Sequence, residues 1–384
     1  MFRFVFSLSL ALTAICAIAQ EPATITVQKG ALLNAHIKGI SGGDGAKAAS
    51  VLANDLTLSS AFGIGAESSA NFVISGSSSG GSLQGRVVDR SGNTILEKTY
   101  SGDTRSAAHQ FADDIVETVT GNPGIATTKL AFVGNASGKK EIYTSDYDGA
   151  NVRQLTRDGG ISVSPALSPN GRQLLYTGYQ SGYADIYRID LGSGARNRVV
   201  KSPGTNSGAS FAPGGGSFAA TLSKDGNPEL YIVGLGGGGA RRLTNSRTSE
   251  SSPSFSPSGD EIVYSSDAGG QPQLFRISAG GGTGSRLNTG YGYCTEPNWS
   301  PDGKKIAFNV REGGNFAVAI YNVSSGNTKV VTSGGDAEDP TWARDSRHLF
   351  FAQNQAVYLL DVTTGKQVKV VSGVGKISEP SASR

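Results

Sequence analysis

The sequence predicts a mostly β chain: a six-bladed β-propeller preceded by a small α+β domain. One pattern recurs five times, as PALSPNGRQLLY from Pro165, ASFAPGGGSFAA from Ala209, PSFSPSGDEIVY from Pro253, PNWSPDGKKIAF from Pro297 and PTWARDSRHLFF from Pro340. The successive offsets are 44, 44, 44 and 43 residues. A fixed period near 44 residues with short alternating apolar runs is the signature of propeller blades. Gly accounts for 54 of the 384 residues, about twice ordinary usage. Most of these glycines fall between apolar runs, as an all-β protein with tight turns requires.

The elements follow in chain order. Residues 1–19 carry Arg3, an apolar run from Phe4 to Ile18 and an A-x-A site at Ala17 and Ala19. This reads as a secretory signal peptide, cleaved near Ala19/Gln20, which fits an exported protein of a bacterial envelope. Ile15 precedes Cys16 where a lipobox needs a small residue, so no lipid anchor is expected. Cys294 is then the one cysteine of the mature chain, which rules out an internal disulfide.

Residues 20–125 lack the period and form the α+β domain. TITVQ from Thr24 reads as a strand, and KAASVLANDLTLSSAF from Lys47 as a helix. NFVIS and GRVVDRSGNTILEKTYS read as strands, the latter turning at Ser91-Gly92-Asn93. Phe111, Ile115 and Val119 mark one face of a helix from Thr104, with Gly121 as its C-cap. Asn122-Pro123-Gly124 reads as a linker.

Residues 126–384 form the propeller. Each repeat reads as four antiparallel strands, with the S-P-x-G turn between the first and second. Phe211, Phe255, Trp299 and Trp342 sit in first strands and are expected to pack between blades. The stretch from Lys129 matches strands two to four of a repeat but lacks a first strand. ISEPSASR from Ile377 supplies it, with Pro380 standing 40 residues after Pro340. Pairing both ends completes a sixth blade and removes an open edge.

No catalytic, cofactor-binding or metal-binding set emerges. GSSSG at Gly76–Gly80 fits G-x-S-x-G but lies at a hairpin tip, without the strand–turn–helix setting of a nucleophile elbow. His36, His109 and His348 are dispersed, and none has metal-ligand spacing. The Gly-rich runs at Gly236–Arg242 and Gly373–Lys376 lack P-loop spacing. The net charge of +3 is small and scattered, without a nucleic-acid footprint. Asp146 and Asp148 in SDYDG fit either a tight turn or Ca²⁺ ligation.

The residues immediately before each repeat are expected to converge on one mouth of the central channel. They include Gly208, Ser251, Ser252, Thr295, Glu296, Glu338, Asp339, Ser378 and Glu379, with Glu250 close by. Carboxylates gathered there repel and raise one another's pKa unless neutralised. Such a mouth suits a basic or amide-rich partner segment, with or without a bound Ca²⁺; the alternative is an ordinary polar rim.

The order of parts resembles the TolB family of the Tol–Pal system over nearly all of the mature chain. NFVISGSSSGGSLQGRVVDRSGNTILEKTYSGDTRSAAHQFADDIVETVTGNPGIATTKLAFVG looks like the TolB passage from the last N-domain strands into the first blade. SDYDGANVRQLT is similar to the first-blade DYDG motif, and VLANDLTLSSAF to the N-domain helix and strand. The repeat from Ala209 departs with APGG and the last with ARDS, and the segment before NFVIS is short. The resemblance implies a periplasmic, non-enzymatic, monomeric scaffold. It would take a peptidoglycan-associated lipoprotein at the propeller mouth and an inner-membrane Tol protein at Glu21, Pro22, Ala23, Thr24, Ile25 and Thr26. It implies roles in envelope integrity, cell division and colicin import, with no nucleic-acid partner and no direct membrane insertion. A propeller of another envelope or secretion complex, or a propeller lyase or cyclase, is the alternative.

Overall fold

The computed structural model describes residues 32–384. The signal peptide, Cys16, TITVQ and residues 21–26 lie outside the described residues. A five-stranded sheet opens the description. It comprises β1 (Leu33–Ser41), β2 (Phe62–Ile64), β3 (Phe72–Ser79), β4 (Ser82–Asp89) and β5 (Thr94–Ser101), in the order β2-β1-β3-β4-β5. β1 runs parallel to β2 and β3, while β3, β4 and β5 form an antiparallel meander. Helices α1 (Gly45–Leu58) and α2 (Thr104–Thr120) bury Leu52, Leu56, Phe111 and Ile115 against Ala35, Ile74, Leu83 and Val87 of the sheet.

Local chemistry explains α2. The Asp103 carboxylate caps it by accepting from the Arg105 and Ser106 N–H groups, and Gly121 ends it at φ +71°. Gly85 of β4 is required by packing, because a Cβ there would lie 2.5 Å from the Phe111 ring. The residues just after the expected linker are clamped. Asp113 of α2 accepts hydrogen bonds from the Ala126 N–H (2.6 Å), the Thr127 N–H (3.0 Å) and the Thr127 hydroxyl (2.6 Å). Ile125 and Ala126 are buried as a result.

The remaining chain forms six four-stranded antiparallel sheets. Blades 2 to 6 each use contiguous chain and begin with first strands Ser162–Leu167, Asn206–Phe211, Glu250–Phe255, Cys294–Trp299 and Ala337–Trp342. Blade 1 takes its innermost strand, Ser378–Ala382, from the far end of the chain. That strand pairs with Lys129–Gly134 through Ser378↔Val133, Ser381↔Ala131 and Ala382↔Leu130. The closure read from the repeat register is therefore present. Phe211, Phe255, Trp299 and Trp342 are all buried, each in a cluster that joins its own blade to a neighbour.

Four seams between blades are also stitched by the polar side chain that follows a first-strand proline. Ser254, Asn298, Thr341 and Ser381 accept from the N–H groups of Trp299, Trp342, Ala382 and Leu167, each in the next blade. The S-P-x-G turns lie at the end of the propeller that meets the α+β domain, where Arg347 donates to the Ser60 carbonyl.

Candidate partner-binding channel

The channel wall is built from a conformation the sequence does not advertise. Ser164, Gly208, Ser252, Glu296, Asp339 and Glu379, one per blade, all have φ between +51° and +61°. They sit within the first strands, at the register shift, not before them as expected. Five of the six carry a side chain, and each such left-handed residue costs about 1–2 kcal/mol. Hydrogen bonds from neighbouring blades offset that cost. The Ser164 N–H donates to Glu379 Oε2 (2.6 Å), the Glu379 N–H to Asp339 Oδ2 (2.8 Å) and the Asp339 N–H to Asn309 Oδ1 (3.1 Å). Asn309 Nδ2 in turn donates to Glu296. Asp339 and Glu379 thus cap the bulge of the following blade, and Glu296 holds the Asn309 that caps Asp339.

The convergence expected of Glu296, Asp339 and Glu379 is present: they form the waist between two chambers. The chamber toward the S-P-x-G turns, about 360 Å³, is lined by Pro165, Pro253, Pro297, Pro340 and Pro380, with Gly208, Ser252 and Arg384. The opposite chamber, about 260 Å³, is lined by Asn135, Lys140, Glu338, Lys376 and Ser378. Ser251 and Thr295 line neither chamber. Glu250 is also absent from the lumen. It is 3% exposed and held by Ser246, Thr248 and Ser266 at a blade seam. The left-handed residue at Ser252 breaks the period-2 alternation that would have put positions 250 and 252 on one face.

Burial, then the adjacent Glu296, raises the Asp339 carboxyl far above its ordinary range. The two buried carboxyls thus disfavour each other's charge, and the charge is least favourable at Asp339. Burial likewise raises Glu296, Glu379 and Glu338. Their intermediate exposure is to the narrow lumen rather than to bulk water. Lys140 faces Asp339 and Glu379, and Lys376 faces Glu338. Sequence reasoning missed both lysines. Lys140 ends the turn before the Glu141–Asp146 strand within blade 1, and Lys376 lies in the connection that enters that blade, where the repeat register gave no anchor. The mouth is therefore a mixed lining of acids, lysines and amides with a slight acid excess.

Asp146 and Asp148 resolve into an ion network between the two domains. Arg105 of α2 donates to Asp146 (2.7 Å) and to Asp148, Lys129 pairs with Asp146, and Asn54 of α1 donates to Asp148 (3.2 Å). Tyr147 between them is buried and donates to Asp55 (2.9 Å), which also pairs with His109 Nδ1 (2.7 Å). Ligand atoms of His109, Asp146 and Asp148 lie within 4.8 Å of one another, a grouping that spacing along the sequence could not reveal. Two cations, Arg105 and Lys129, already occupy the carboxylates. The turn reading of SDYDG also holds, with Gly149 at φ +83° donating its N–H to the Asp146 carbonyl.

Comparison with known proteins places this geometry. The TolB β-propeller domain model matches residues 116–384. The chain is 49% identical over 86 residues to the Tol-Pal system protein TolB of Geobacter sulfurreducens, covering 22% of this chain and 20% of that protein. It is 43% identical over 104 residues to a TolB homolog of Chlorobium chlorochromatii, covering 26% and 24%. The matched stretches thus span only a fifth to a quarter of those relatives. In fold, the chain is similar to the crystal structure of TolB from Acinetobacter baumannii. That likeness has a TM-score of 0.80 at 23% identity and covers 92% of this chain and 96% of that one. A repeat of matching period, a tail that closes blade 1 and a family match across the propeller lead to one conclusion: the chain belongs to the TolB β-propeller family.

Proposed function

We propose that this protein is a periplasmic, non-enzymatic binding scaffold of the Tol–Pal type. In this reading, a segment of a peptidoglycan-associated lipoprotein enters the lumen and meets Gly208, Ser252, Glu296, Glu338, Asp339, Ser378 and Glu379. Residues 21–26 contact an inner-membrane Tol protein by adding a strand to its sheet edge. The link serves envelope integrity and division, and toxin import exploits it. The observation that carries the reading is the carboxyl ring at the channel waist of a TolB-family propeller. Buried acids with few water contacts favour a partner that donates hydrogen bonds, so an amide- or cation-bearing segment fits best.

Titration calorimetry against the lipoprotein, at matched salt, tests this. Glu296→Gln combined with Glu379→Gln weakens binding at least tenfold, about 1.4 kcal/mol. Unchanged affinity overturns the assignment of the waist as the partner site.

A further inference from the structure

The repeat places one buried acceptor at the start of the third strand in successive blades: Glu141, Asp185, Glu229 and Gln273. The first residue of the next blade stands beside it, as Ser162, Asn206, Glu250 and Cys294. Their N–H groups make equivalent bonds, to the carbonyls of Lys140, Ala184, Pro228 and Pro272. Three of these seams put an uncharged side chain next to the acceptor. At the seam of blades 3 and 4, a carboxyl faces a carboxyl. Glu229 is 0% exposed and Glu250 is 3% exposed.

Counting donors shows what is missing. Glu229 Oε1 accepts from the Ser246 N–H (2.6 Å), Arg242 (2.9 Å) and Asn227 (3.1 Å). Glu250 Oε1 accepts from Ser246, Thr248 and Ser266, and its Oε2 from Ser246. Glu229 Oε2 is buried without a partner. The Thr244 hydroxyl lies beside Glu229 without a bond of acceptable geometry. Even if it turned toward Oε2, one lone pair would remain. The remaining titratable and charged groups around the pair are Arg242, Tyr231 with its partner Asp225, and Tyr264. Arg242 neutralises one carboxylate, not two. A divalent cation such as Ca²⁺ needs about six oxygen ligands, and only Glu229 Oε2 and Glu250 Oε2 have capacity left. A proton needs two oxygens.

We propose that Glu229 and Glu250 form a proton-binding site, in which one shared proton holds the seam of blades 3 and 4 together and is released as the pH rises. The consequence reaches the channel, because the strand that Glu250 begins carries Ser252 into the lumen wall two residues later. Burial, followed by the neighbouring Glu229, lifts Glu250 from 4.5 to about 7, while Glu229 is lowered. The proton therefore leaves near neutrality. The site stands independently of what the channel binds.

Urea unfolding of the full chain, with no partner present, compares wild type with Glu250→Gln between about pH 5 and about pH 9. The amide replaces the shared proton with a permanent donor. Relative to the variant, the wild-type unfolding constant rises up to about tenfold per pH unit between 4.5 and about 7, then levels off. Parallel profiles overturn the proposal. So does a stabilisation by millimolar Ca²⁺ or Mg²⁺ that is lost in the variant, since that assigns the seat to a cation. Infrared difference spectra of wild type and Glu229→Gln give a second measurement should Glu250→Gln fail to fold. A protonated-carboxyl band titrates near neutrality in wild type and is missing from Glu229→Gln; its absence in wild type also overturns the proposal.

Discussion

His109 reports on how the two domains hold together. Its ring is 3% exposed, with Nδ1 paired to Asp55 and Nε2 standing 3.9 Å from Asp146. Burial opposes a charged ring, but the attraction of Asp146 and Asp55 outweighs it and lifts the pKa from 6.5 to about 9. A histidine raised in the fold contributes stability that is fully present below pH 6.5 and is lost as the pH climbs through about 9. The rise of some two and a half units corresponds to about 3 kcal/mol. Replacing His109 with Gln keeps a donor toward Asp55 but removes the titrating charge. Urea unfolding of both proteins across this window isolates the effect. The stability difference, wild type minus variant, is constant below pH 6.5 and shrinks by about 3 kcal/mol above pH 9. A difference that stays flat across the window refutes a charged His109 in the folded protein.

Two further outcomes follow from the waist and the tail. Asp339→Asn reproduces the protonated carboxyl, donating to Glu296 and accepting from the Glu379 N–H. A raised acid costs stability above its unfolded pKa of 3.8, so the variant matches wild type below that pH and gains about 1.4 kcal/mol per pH unit above it, until Asp339 itself ionises; denaturant titration at stepped pH reads this directly. Deleting residues 378–384 strips the first blade of its inner strand and orphans the N–H groups of Lys129, Ser164 and Leu167. The loss is at least about 5 kcal/mol, comparable to the whole stability of a domain, and circular dichroism with limited proteolysis shows an unfolded or open propeller.

The propeller was legible because its grammar repeats. Pro165, Pro253, Pro297 and Pro340 set the register, and the register alone exposed the missing strand that Ser378–Ala382 provides. Glu296, Asp339 and Glu379 were found for the same reason. Their backbone was not legible, since a residue before proline ordinarily avoids α-type backbone and favours extended conformations. Only the blade-to-blade hydrogen bonds sustain φ near +55° at Glu379 and its counterparts. β1 escaped detection because a bulge between Ile37 and Gly39 interrupts its alternation. His109 with Asp55, and Glu229 with Glu250, are contacts between elements, so no local pattern announces them. The repeat did carry a hint of the second pair: position 250 holds an acid where its counterparts hold Ser162, Asn206 and Cys294.

The pairing of Ala382 with Leu130 also sets an order of events in synthesis. A chain made from its N-terminus can complete blades 2 to 6 as their residues emerge, because each is contiguous. Blade 1 cannot, and its Lys129–Gly134 strand waits with an unpaired edge until residues 378–382 arrive. The α+β domain docks on that same blade through Asp146, Tyr147 and Asp148, so it is anchored on the blade that is completed last. A molecule that lacks residues 378–382 would present an open ring. The closure thus acts as a proofreading step, in which only a chain translated through Ala382 acquires a sealed channel.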